Sequence, residues 1–214
     1  MRKGDLYDTA KTLAPKPKAV TINNQSYNLV AFYYPDYDTG WDLAFQGQFL
    51  ANFYRCNFSL TINGITATFN TAEAAFQATK CWNTTEREMF EAAQCDTGTQ
   101  AFNNKKKIAS PDTSYAGLGR DGAMKAVLTA KFSDPVLRQG LIATGDAYLL
   151  EHNERKGRDD YWSDDHDGLK QHDPLGKTLN MLGKTLMEVR EECGGVGAPK
   201  GRYAVADFTS HAEK

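Results

Sequence analysis

FSLTINGITATFNTAEAAFQATKCW, residues 58–82, decides the fold. Two runs, 58–62 and 65–69, alternate apolar and polar residues around Asn63-Gly64. Alternation gives each strand one apolar and one polar face, and Asn-Gly favours the two-residue turn whose twist suits a hairpin. The period then changes. A helix is expected from Thr71 onward, with Asn70 as its N-cap and Glu73, three residues later, as the capping-box partner. Helices dominate the rest of the chain, and the clearest strands are antiparallel.

At about 100° per residue, Glu73, Phe76, Gln77 and Lys80 share about a third of that helix's circumference. Ala72, Ala74, Ala75 and Ala78 fill much of the rest and permit close packing. A core-facing stripe is normally apolar, and this one carries a carboxylate, an amide and an ammonium. Two readings stand at this point: a capped helix with a solvated polar face, or a face that lines a site.

Upstream, YNLVAFYY (27–34) reads as a strand and PDYDTGWD (35–42) as a loop. Residues 1–18 contain Lys and Pro, are poor in core formers, and are expected to form a flexible tail. Downstream, helices are expected over 84–94, 123–132, 135–144 and 179–193, with a partly helical segment opening 101–120 and a short strand near 147–153. The segment 203–208 is expected as an edge strand or a tail. The organisation is then a tail (1–18), one domain (19–194) and a C-terminal extension (195–214).

Composition narrows the function. The chain has 214 residues, 41% hydrophobic, with a net charge of -2. That is enough chain for a proper core, and it carries no global basic footprint for sequence-blind binding to nucleic acid. No stretch approaches the ~20 apolar residues of a membrane span, and no signal segment opens the chain, so an intracellular, cytoplasmic setting is expected, the nucleus left open. The four cysteines (56, 81, 95, 193) have no C-x-x-C spacing, and no His/Cys pattern marks zinc. Asp164, Asp165, Asp167 and Gly168 look like part of a calcium loop but lack its closing Glu. Neither a metal nor a cofactor is expected. Phosphate-binding Gly-rich loops and a Ser nucleophile elbow are absent.

Two further places invite chemistry. RDDYWSDD (158–165) sets Trp162 among carboxylates, where it either anchors the loop or stacks a planar ring beside Asp159 or Asp160. In FLANFYRC (49–56), Asn52 stands among Phe49, Leu50, Phe53 and Tyr54 as a loop-closing amide or a reader of a sugar or base edge.

These pieces occur in one order. FLANFY is followed by E-x-x-F-Q-x-x-K (Glu73 to Lys80), KF-x-x-P-x-L (Lys131 to Leu137) and TGD-x-x-LLE (Thr144 to Glu151). Then come D-x-x-W (Asp159 to Trp162) and N-x-LGK-x-LM-x-x-R (Asn180 to Arg190). The series resembles the NADAR (YbiA-like) family over about residues 45–192. Ser163 stands where the family commonly has Gly. LKQHDPLGK (169–177) and the segment 35–48 look extended.

The resemblance implies a single compact, mostly helical α+β domain with a small antiparallel sheet. It also implies an N-glycosidase acting on ribose-linked nitrogen, either ADP-ribosylated guanine or phosphoribosylamino-pyrimidine intermediates of riboflavin synthesis. The first is preferred, since the chain carries no fused biosynthetic domain. A non-catalytic reader of ADP-ribose or NAD is the alternative of a different class. The expected partner is an ADP-ribose-containing substrate, with ADP-ribosylated nucleic acid beyond it and no membrane; a monomer is favoured.

Loss of the leaving nitrogen puts positive charge on C1, which a carboxylate stabilises. Glu73 is the first candidate and Asp159 the second. Lys80 either complements charge or, once neutral, captures C1 of an opened ribose as a Schiff base. Trp162 is expected to stack the base; Asn52 and Gln77 to fix polar edges; Phe53 and Phe76 to wall the pocket; Asn180 is a further substrate-binding candidate.

Overall fold

The computed structural model describes residues 13–34, 40–169 and 180–213. Its elements run β1 (Lys18–Ile22), β2 (Gln25–Phe32), α1 (Gly40–Phe45), β3 (Phe58–Ile62), β4 (Ile65–Phe69), α2 (Ala72–Ala78), α3 (Gly98–Asn104) and α4 (Gly119–Lys131). They continue as α5 (Pro135–Ala143), β5 (Tyr148–Glu151), α6 (Met181–Glu192) and α7 (Val205–Ala212). Two units emerge, Asn52–Leu137 in one, and Leu13–Ala51 with Arg138–Lys214 in the other. Most of the expected tail, residues 1–12, lies outside the described residues, as does nearly all of the 169–177 extension.

In the first unit β3 and β4 pair antiparallel in the expected register. Asn63 and Gly64 both take positive φ, 52° and 77°, as the turn type demands. Phe58, Leu60, Ile62, Ala67 and Phe69 are buried, while Ser59 with Thr68 and Thr61 with Thr66 share hydroxyl hydrogen bonds at 3.0 and 2.8 Å on the open face. Trp82, 1% exposed, donates its indole N–H to the Ile62 carbonyl at 3.1 Å, pinning the end of the α2 segment to the hairpin. The helix expected over 84–94 is only a 3₁₀ turn, Thr85–Phe90. Phe90 is its one buried residue, so no apolar stripe exists to hold a longer helix.

In the second unit the sheet order is β1-β2-β5. β1 and β2 form a second hairpin, turning at Asn23 and Asn24 with φ of 51° and 62°. β5 pairs parallel to β2, Leu29 facing Tyr148. α6 packs on β5 with no room to spare: a Cβ on Gly183 would meet the Leu149 carbonyl at 2.0 Å. The segment expected as an edge strand or tail is instead α7. Its start is closed by Asp207, which accepts the Ala204 N–H at 2.7 Å, and Phe208 stacks flat on Tyr148 at 4.0 Å. That burial of two rings holds a helix too short to persist alone.

Candidate active site

Thr71, not Asn70, caps α2: its hydroxyl accepts the Ala74 N–H at 3.1 Å. Asn70 instead ties the hairpin to the following loop, donating to the Ala92 carbonyl at 3.1 Å and accepting from Asn57 at 3.0 Å. With the cap one residue later, Glu73 falls at the second helical position and the expected capping box is not formed. Its backbone N–H donates to the Asn52 carbonyl at 2.9 Å.

The face that carries Glu73 is not solvated. Glu73 is 7% exposed, Phe76 4% and Gln77 4%. Gln77 Nε2 donates to Glu73 Oε1 at 3.0 Å, and Lys80 Nζ donates to Gln77 Oε1 at 2.8 Å. The amide thus has its oxygen toward the cation and its nitrogen toward the carboxylate, and links the two. A polar chain with two of its three members buried is a costly thing to leave in a fold without a use.

Lys80 stands 5.4 Å from the Phe76 ring centre and 5.6 Å from that of Tyr115. The two rings stack at 5.5 Å. Burial lowers the Lys80 pKa, Glu73 opposes that, and Lys105 adds to it; the net direction is down. Tyr115 was legible in the sequence only as part of a loop. Its φ of 52° is imposed by the turn that Asp112 closes by accepting the N–H groups of Ser114 and Ala116 at 2.8 and 2.9 Å.

Asn52, 8% exposed, has only a weak partner for its amide nitrogen, Met124 Sδ at 3.7 Å. Its Oδ1 is buried with no hydrogen-bond partner, an exception among buried polar atoms. Phe53 packs toward α3: a Cβ on Gly98 would lie 2.4 Å from its ring. So the first unit gathers Asn52, Glu73, Gln77 and Lys80 by direct hydrogen bonds, with Phe76 beside them.

Asp159, Trp162 and Asn180 belong to the second unit. Asp159 Oδ1 accepts the N–H groups of Tyr161 at 3.0 Å and Trp162 at 2.8 Å. Burial raises its pKa, those two bonds oppose the rise, and Asp160 and Asp165 add to it. Ser163 knits the same loop: its hydroxyl donates to the Asp159 carbonyl at 2.6 Å and accepts from Asn153 at 3.2 Å.

Asn180 corrects the sequence expectation. It is fully buried, sits at φ 63°, donates to the Leu149 carbonyl at 2.7 Å and accepts the Glu151 N–H at 2.9 Å. Both ends of its amide are held by β5, so it positions α6 and does not face a substrate. Arg190 of the same motif is likewise structural. Fully buried, it donates to Thr144 Oγ1 at 2.8 Å and to the Ala147 carbonyl at 2.9 Å, which explains why TGD and LM-x-x-R occur together.

A NADAR domain matches residues 41–193, and the chain belongs to that family. The fold is similar to that of the E. coli protein YbiA, solved by NMR. The two are 27% identical over 78% of this chain and 86% of that one, with a TM-score of 0.52. No curated protein matches the chain. Membership carries N-glycosidase-type chemistry; the substrate has to be argued from the site.

Proposed function

We propose that the protein hydrolyses the ribosyl C1–N bond of ADP-ribosylated guanine and releases ADP-ribose, with Glu73 at the reacting centre. The observation that carries this reading is the hydrogen-bonded chain from buried Glu73 through buried Gln77 to half-buried Lys80, on a helix face that is neither solvated nor apolar. As the C1–N bond breaks, its electron pair leaves with the base nitrogen, which takes a proton. The Glu73 carboxylate stabilises the cationic sugar, takes a proton from the water that adds to C1 and passes it to the departing base nitrogen. Gln77 holds the carboxylate in place, and the partnerless Asn52 Oδ1 accepts from an N–H on the base edge. The stacked Phe76–Tyr115 pair supplies a flat apolar wall suited to a purine.

The lowered Lys80 pKa favours a second route on the same substrate. A neutral Lys80 amine attacks C1 of the opened ribose, expels the base nitrogen and leaves a Schiff base that water hydrolyses. Borohydride added during turnover traps an enzyme–sugar adduct on this route and traps none on direct hydrolysis.

The test incubates wild type and Glu73→Gln with ADP-ribosylated guanosine, with a phosphoribosylamino-pyrimidine in a parallel arm. ADP-ribose release by wild type, falling at least ~100-fold in the variant at an unchanged melting temperature, is the expected result. Turnover of the pyrimidine alone would move the assignment to that substrate. Binding of ADP-ribose without cleavage of either would make the protein a reader, and near-normal Glu73→Gln activity would remove Glu73 from the chemistry.

A further inference from the structure

We infer that His152, His166 and Glu213 form a site for a divalent ion of the zinc class, at the join between the acidic loop and the end of α7. All three belong to the second unit. One ring nitrogen of each histidine and one Glu213 carboxylate oxygen lie within 4.8 Å of one another. His152 and His166 lie inside the NADAR match, which stops at 193, whereas Glu213, the residue that closes α7, lies past it.

The inner ligand is built as metal-binding histidines are built. His152 is 1% exposed, and its Nδ1 faces Asp164 Oδ2 at 2.6 Å. The carboxylate fixes the tautomer and leaves the Nε2 lone pair for the ion, the outer-sphere arrangement typical of ligating imidazoles. Asp164 is itself held by Thr209 at 2.8 Å and by the N–H groups of Asn153 and His166, each at 2.9 Å. Trp41 packs edge-on against the His152 ring at 4.7 Å.

The outer ligands meet Nε2 from the open side. Glu213 Oε1 is 3.1 Å from His152 Nε2. The His166 ring stacks 5.7 Å from that of His152 and is steered by the Asn153 carbonyl, 3.1 Å from its Nδ1. Two successive residues hold positive φ to bring it there, Asp165 at 50° and His166 at 71°, a strained arrangement for non-glycine residues. The side chains of His166 and Glu213 are 42% and 52% exposed, which leaves an entry path.

Two imidazoles and one carboxylate suit zinc better than calcium or magnesium. The aspartates that look like a calcium loop are engaged elsewhere: Asp164 Oδ2 faces His152 Nδ1, Asp165 Oδ1 accepts the Arg158 N–H at 2.9 Å, and Asp167 pairs with Lys156. Three protein ligands leave one coordination position for water.

The test uses the full chain, stripped with a chelator and titrated with Zn²⁺ by calorimetry and with Co²⁺ by visible absorption. The expected result is saturable binding of one ion per chain, a tetrahedral cobalt band and a Zn²⁺-dependent rise in melting temperature. Glu213→Gln and His166→Ala, both at exposed positions, are expected to weaken binding at least ~10-fold. Absence of saturable binding or of the cobalt band in wild type overturns the site and leaves His152 as a proton-bridged link between two carboxylates. Binding unchanged in both variants overturns it equally.

Discussion

Asp159 separates two properties that one side chain normally confounds. One oxygen closes a turn by accepting two N–H groups; the acid itself is held above its ordinary pKa by burial. Asparagine keeps the acceptor and loses the acid. Asp159→Asn is therefore expected to retain the melting temperature and to lower turnover at least ~10-fold if the carboxyl takes part in proton transfer. Unchanged turnover in the same assay would leave it as a turn residue. At this scale the sequence was partly transparent. The spacing of Glu73, Gln77 and Lys80 put them on one face, and the structure joins them by hydrogen bonds. Spacing alone did not show that the face is buried. Nor did it separate Thr71 from Asn70 as the cap, since both have side-chain oxygens suited to that position. Asn180 travelled with the functional motif, and only its burial reveals a structural role. Tyr115 gave no periodic signal because a left-handed loop residue belongs to no repeating pattern.

Among the elements, α6 shows how a glycine becomes indispensable without unusual dihedral angles. In an open helix, Gly183→Ala is expected to stabilise by about 1 kcal/mol through propensity. Here the added methyl would lie 2.0 Å from the Leu149 carbonyl. The helix must move off β5, and a net loss of about 1–3 kcal/mol is expected, read as a lower urea midpoint. A gain would show that α6 shifts freely. The β3–β4 hairpin was legible because alternation and turn chemistry agreed. The β1–β2 hairpin was not, although Asn23-Asn24 is a fair signal for the same turn; the expected tail, ending at residue 18, overlaps the start of β1. α7 was missed because eight residues give little periodicity, and its helicity comes from Phe208 lying on Tyr148.

Across the molecule, a buried lysine sets the response of stability to alkali. Lys131 is fully buried, and burial lowers its pKa from 10.5 to about 8. Above that value the folded chain has released a proton that the unfolded chain still holds, so stability rises with pH. The thiols of Cys56 and Cys95, raised by burial to about 11, pull the other way once unfolded thiols ionise near 9. The window is therefore pH 8 to 9, with a gain on the order of 1 kcal/mol per pH unit. Urea midpoints across that window are expected to climb in wild type and to flatten in Lys131→Met; a flat wild type would mean the lysine stays charged inside the fold. Among the described residues, no helix is long and apolar enough to cross a membrane. The parallel pairing of β2 with β5 also has a temporal side. Leu29 meets Tyr148, so β5, the edge partner of the central strand β2, is synthesised long after it, with the entire stretch Asn52–Leu137 emerging in between. The contiguous half has all its strands and helices in hand early, whereas β2 waits on the ribosome with one edge open. Until β5 arrives, that edge is open to pairing with other chains.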